Sequence, residues 1–190
     1  MKFLLACLLW FCFVSGFAQK SLRPVSLADV TARTYPADTN AVAVVLSDYC
    51  DTRLDPSSGT GMVLQRKIRI KILQKAGYDW ATVAIPFFSN GYQGKEFVQK
   101  INGQTFNTDA TGALEVTPLR NQAVMEEKVG AGQYVKRFTL PNVREGSVIE
   151  YEYTYLSEFS YLNDWVFQHA IPVVRSEFRL LLGSDFQYQI

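Results

Sequence analysis

Residues 148–155 read Val-Ile-Glu-Tyr-Glu-Tyr-Thr-Tyr, and an alternation this strict fits a β-strand and no helix. Successive strand side chains point to opposite faces, so Ile149, Tyr151, Tyr153 and Tyr155 share one face and Val148, Glu150, Glu152 and Thr154 the other. Residues 63–73 repeat the pattern, with Ile68, Ile70 and Ile72 opposed to Lys67, Arg69 and Lys71. Ala41–Leu46 is an apolar run of strand length, as expected of a strand buried on both faces. Further strands are predicted over Trp80–Ile85, stopped by Pro86, over Tyr134–Leu140, over Trp165–Gln168 and over Val173–Leu182. Glu96–Ile101 and Gln104–Asn107 flank Asn102-Gly103, a two-residue hairpin signal. Turns are expected at Asp55–Gly59 and Asp109–Gly112, and Ser26 is placed to cap a helical turn through Val30 that ends by Tyr35-Pro36. About nine to eleven short strands imply an all-β chain, an antiparallel sandwich-like domain or open barrel.

The N-terminus reads as an export segment. Met1-Lys2 precedes the unbroken apolar run Phe3–Val14, and Gly16 and Ala18 are small residues at a cleavage site. Residues 1–18 are therefore expected to be a cleaved signal peptide, with 19–34 an N-terminal segment and 35–190 the β-sandwich-like domain. The run is shorter than the roughly 20 apolar residues of a membrane span. Without residues 1–18 the cations fall from 19 to 18 and equal the 18 acids, and a neutral chain lacks the basic excess of a nucleic-acid binder. Cys50 becomes the only cysteine, which excludes an internal disulfide framework. The aromatic content, 14%, argues against disorder.

Few residues can carry chemistry. Cys50 and His169 form the only nucleophile–base combination beyond residue 18, and nothing in the sequence brings them together. Asp48, Asp51 and Asp55 form an acidic stretch expected to be a solvated loop, without the spacing of a calcium loop. Glu126-Glu127 and the Glu150/Glu152 pair are the candidate paired carboxylates, but Glu150 and Glu152 are better placed to pair across strands with Lys67, Arg69 or Lys71. The cations between Arg66 and Lys75 read as a solvated face, and no glycine-rich phosphate loop precedes a helix. No catalytic residue, metal site or cofactor is expected. The tyrosine stripe is either the core side of a sheet or a binding surface. The candidate binding residues are Phe159, Tyr161, Tyr155 and Trp165, with Phe159 and Tyr161 expected to be the exposed members; Trp165, Phe167 and Ile171 are also expected to anchor the core.

Several landmarks recur in a fixed order: Ala41–Leu46, Arg69–Leu73 with Gly77, Lys136–Pro141, Gly146–Tyr153, and Trp165–Val173 followed by Ser176-Glu177. From about Tyr35 onward this order resembles domain-of-unknown-function family 3857, an exported bacterial family found N-terminal to transglutaminase-like domains. The resemblance implies a non-catalytic β-domain in the periplasm of a Gram-negative bacterium or secreted from it. Its partner would be a downstream papain-fold domain of the same polypeptide, carrying a Cys-His-Asp triad. The domain would position that partner or aid binding of a protein or peptide substrate. The run Phe186–Ile190 reads as an interrupted strand, so the chain is expected to be a C-terminally truncated fragment. The alternative is a stand-alone periplasmic module that binds glycan or peptide.

Overall fold

The computed structural model describes residues 22–54, 61–92, 94–159 and 161–182. The export segment, the turn at Asp55–Gly59, Ser160 and the run Phe186–Ile190 lie outside the described residues. A short helix α1 (Leu27–Thr31) is followed by nine strands: β1 (Ala43–Leu54), β2 (Met62–Ile72), β3 (Thr82–Asn90), β4 (Gly94–Thr108), β5 (Leu114–Pro118), β6 (Met125–Gly130), β7 (Gln133–Thr139), β8 (Val148–Ser157) and β9 (Ser176–Leu182). The chain is all-β in essence, as the alternation requires. Ser26 caps α1 in a reciprocal capping box with Asp29, although the helix ends at Thr31, before the Tyr35-Pro36 pair.

The strands form one hydrogen-bonded sheet in the order β6-β7-β3-β4-β8-β2-β1-β9, with β5 added to β4. Pairing is antiparallel except at β1–β9, where Asp48–Leu54 runs parallel to Ser176–Leu182. β3 and β4 share only two ladder pairs, Ser89–Lys95 and Asn90–Gly94. Beyond that hairpin they part, and β7 lies across β8, where the Phe138 and Tyr151 rings meet edge to face at 5.7 Å. The sheet thus doubles back to give the sandwich-like form. Ile68, Ile70, Ile72, Ile149 and Tyr151 of one layer pack against Val83, Ile85 and Phe138 of the other. Each such aliphatic side chain, fully buried, contributes about 1.5–3 kcal/mol by removing apolar surface from water.

Two bulges set which residues face this core. In β1 the register slips between Val45 and Ser47, so the inward set changes from Ala43 and Val45 to Asp48, Cys50, Thr52 and Leu54. In β4 it slips between Gln99 and Asn102, with Lys100 in the left-handed region at φ 53°. The inward set there changes from Glu96 and Val98 to Gly103 and Thr105.

Several sequence expectations need correction. The acidic stretch is not a loop: Asp48 and Asp51 lie within β1, Asp48 is fully buried, and Asp51 accepts two hydrogen bonds from Arg179. Asn102-Gly103 is not a hairpin turn but lies within β4, where a Cβ on Gly103 would stand 2.8 Å from Leu140 Cδ1. Pro86 does not stop β3. The β3–β7 ladder uses odd-numbered β3 residues, as in Ser89 N–H donating to Gly132 O, so Pro86 faces the open side where no amide is required. Trp80 lies in a 3₁₀ turn (Lys75–Ala81), and Trp165–Gln168 has no strand structure. Phe167 is 53% exposed and does not anchor the core, whereas Ile171 does.

The basic face of β2 is not solvated either. Arg69 and Lys71 are buried. Arg69 Nε donates to Glu150 Oε2 at 2.7 Å, and Lys67 Nζ lies 3.3 and 3.4 Å from Glu150 and Glu152, so the expected cross-strand pairing is present. Lys71 Nζ donates to the carbonyls of Val30, in α1, and Gly146. The segment bearing α1 covers this end of the outer face, with Val25 and Val30 packed on Phe106 and Val148.

Candidate functional site

Parity along β2 builds the site. Leu64 and Arg66 continue the face of Ile68, Ile70 and Ile72, and they stand opposite Tyr155 and Tyr153 of β8. Where the two layers part beyond the β3–β4 hairpin, a cleft of about 620 Å³ lies between them. One wall carries Leu64, Arg66, Tyr153 and Tyr155. The other carries Ile85, Phe87 and Phe88 of β3 with Tyr134 of β7, the Phe87 and Tyr134 rings being stacked at 5.5 Å. Glu96 lies at the hairpin end, and Asn163, Asp164 and Trp165 come from the connection between β8 and β9.

Arg66 is held side-on by the buried Asp48: Nε donates to Oδ1 at 2.9 Å and Nη2 to Oδ2 at 2.6 Å. His169 Nε2 lies 3.1 Å from the same Oδ2, and its ring meets Trp80 edge to face at 6.1 Å. The Trp165 ring stacks on the Arg66 guanidinium at 4.9 Å, and its indole N–H donates to Ser176 Oγ at 3.1 Å. Asp48 thus neutralises Arg66 and, through His169, ties the β8–β9 connection to the sheet. Burial pushes the Tyr151 and Tyr153 phenols above their ordinary value.

Glu96 is only 4% exposed and is surrounded by donors. Its Oε2 accepts from Phe88 N–H at 2.7 Å, and its Oε1 from Ser157 Oγ at 3.2 Å and Tyr161 OH at 3.4 Å. Tyr155 also bonds to it; burial, and after it that bond, raises the Tyr155 phenol. Every contact asks the carboxylate to accept.

The structure brings the four candidate binding residues together. Tyr155 and Trp165 line the cleft. Phe159 lies at its rim, 6.3 Å from the Phe88 ring and 5.4 Å from Tyr161, which is 51% exposed. Gly94, at φ +122°, leaves room for the Phe159 ring, since a Cβ there would stand 2.8 Å from it. The tyrosine stripe is divided: Ile149 and Tyr151 lie in the core, Tyr155 is buried in the core and also lines the cleft, and the partly buried Tyr153 reaches the cleft. Sequence reasoning missed Arg66, Glu96, Phe87, Phe88 and Tyr134. For Arg66 the signal was available in its parity with the isoleucines.

Cys50 and His169 do not bond to each other. The Cys50 thiol lies 3.5 Å from Thr52 Oγ1, and burial pushes its pKa up to about 11. Among the described residues no group of three or more His, Cys, Asp or Glu side chains could hold a metal ion. Glu126 and Glu127 pair with Lys136 and Arg137 on the exposed β6–β7 ladder.

No helix among the described residues is long and apolar enough to cross a membrane. No curated protein matches the chain. Among solved structures it is similar to a crystal structure described as "a putative protease" from Parabacteroides distasonis, at 10% identity and a TM-score of 0.47. That similarity takes in 61% of this chain and 23% of the other. Residues 60–190 match the family model described as a domain of unknown function with a solved structure, DUF3857, and the chain belongs to that family.

Proposed function

We propose that this chain is an exported, non-catalytic β-domain that accompanies a downstream transglutaminase-like domain and holds a segment of that enzyme's protein or peptide substrate. The observation that carries the reading is the aromatic cleft of about 620 Å³ between the two layers. Its volume and composition, mostly apolar rings with a few convergent polar groups, are those of a binding site. Cys50 supports a binding role over a catalytic one, because a thiol raised to about 11 gives little thiolate at neutral pH. The apolar run Phe3–Val14 supports export.

The test is to read the gene past codon 190, express its product and assay it on a protein substrate and on a small synthetic one. Tyr134→Ala and Trp165→Ala should raise KM for the protein substrate severalfold and leave kcat on the small one unchanged. Equal effects on both substrates, or on neither, would overturn the reading. A product without a catalytic domain would leave a stand-alone periplasmic module using the same rings on glycan or peptide.

A further inference from the structure

The cleft carries more negative than positive charge, and its walls are aromatic. Three carboxylates lie in it or directly behind it, and one cation faces them. Asp48 and Arg66 satisfy each other through two hydrogen bonds, so neither charge is left for a ligand. Glu96 remains. All its partners are neutral donors, and among the described residues no cation lies within ion-pair distance of it. A buried carboxylate is ordinarily paired with a cation, because hydrogen bonds from neutral groups replace only part of its lost hydration. Asp164 adds a second uncompensated carboxylate to the cleft lining; it is exposed and has no partner among the described residues. Lys128 Nζ lies 6.0 Å from the Tyr134 ring centroid but does not line the cleft.

The rings that line the cleft with these two carboxylates carry π-faces, which attract cations, and they also accept a hydrocarbon stem. An anion would meet Glu96 and Asp164 unshielded. A neutral apolar group would fill the slot but leave the Glu96 charge unmatched.

From this we infer that the cleft recognises a lysine or arginine side chain on an extended polypeptide, its stem lying on the aromatic lining and its cationic head drawn in by the negative charge of Asp164 and, behind its neutral donors, Glu96. The inference rests on the peptide-holding role proposed above and names the residue class that role selects.

The experiment titrates the chain with acetylated, amidated pentapeptides that differ only in the central residue: lysine, norleucine or glutamate. Binding is followed by Trp165 fluorescence and by calorimetry. The lysine peptide should bind about tenfold more tightly than norleucine, and glutamate more weakly than either. Asp164→Asn, at an exposed position, should remove most of that preference without changing the melting temperature, and so should Glu96→Gln if the chain remains folded. Raising the salt concentration should weaken the lysine peptide alone. Equal binding of lysine and norleucine would overturn the inference and leave the peptide role standing. Binding of no peptide, or of an oligosaccharide in their place, would overturn both.

Discussion

Arg66 and Arg69 lie three residues apart on one strand, and each is bonded to a buried carboxylate, yet they play opposite parts. Arg69 points to the outer face, where Glu150, its neighbour on β8, holds it with Lys67 alongside. Its side chain is 6% exposed. Arg66 points inward, 23% exposed, with Asp48 behind it and the Trp165 ring across it. The first pair is sealed into the sheet as a register device. The second presents one edge to a cleft. What separates a structural ion pair from part of a site is here the surroundings: one face is covered by a segment of the chain itself, and the other is left open by diverging layers.

The largest expected effect breaks the sealed pair. Glu150→Ala leaves Arg69 buried without its carboxylate and should cost about 3–5 kcal/mol in a denaturant titration. Replacing Arg69 and Glu150 together by methionine should restore most of it. A loss below about 1 kcal/mol would mean that Arg69 behaves as an ordinary surface cation.

Asp48→Asn should cost less, about 2 kcal/mol, because Arg66 can turn toward the water of the cleft. It should also loosen the β8–β9 connection, seen as a red shift of tryptophan fluorescence that Glu150→Ala does not give. Equal cost at both sites would erase the distinction drawn above.

Thr105 sharpens the contrast on the inner face. Its hydroxyl is buried without a partner among the described residues, in a position that the β4 bulge turns toward the core. Thr105→Val should stabilise the chain by about 1 kcal/mol, measured by the denaturation midpoint.

A pH slope comes from the outer face. Burial, and after it the nearby Arg33, lowers the Lys71 ammonium from 10.5 to about 8. Between those values the unfolded chain binds the proton that the folded chain has released, so stability should rise as pH increases through that window. Below about pH 8 the cost of the buried charge is present in full. Lys71→Met should flatten the slope. Above pH 10 the slope should reverse, because burial raises the Tyr151 phenol above its ordinary 10.0 and the unfolded chain then loses its proton first.

The sheet was legible in the sequence wherever alternation ran unbroken, above all in β2 and β8. It was obscured at the bulges. One extra residue near Leu46 reverses which side of β1 faces the core, so Asp48 and Cys50 looked like loop residues although they line the interior. A similar slip in β4 made Asn102-Gly103 look like a turn, when the glycine is there to admit Leu140. Of the candidate site, Tyr155, Phe159, Tyr161 and Trp165 could be picked out as aromatics in suggestive positions. The opposite wall could not, because Phe87, Phe88 and Tyr134 reach the cleft only when the sheet doubles back. The connection that carries Trp165 and His169 has no periodicity to read; it is held by side chains to Asp48 and Ser176.

The parallel pairing of β9 with β1 has a consequence for the order of folding. Asp51 and Arg179, bonded across that ladder, are 128 residues apart in the chain. Contacts of such long separation form late, because the loop entropy must be lost before the pairing can offset it. Until β9 arrives, the flank of β1 is an unpaired edge on which Asp51 lacks Arg179, open to pairing with other chains. A sheet arranged in this way is safest when β9 is available soon after β1, which favours rapid synthesis of the stretch between them over slow, piecewise folding.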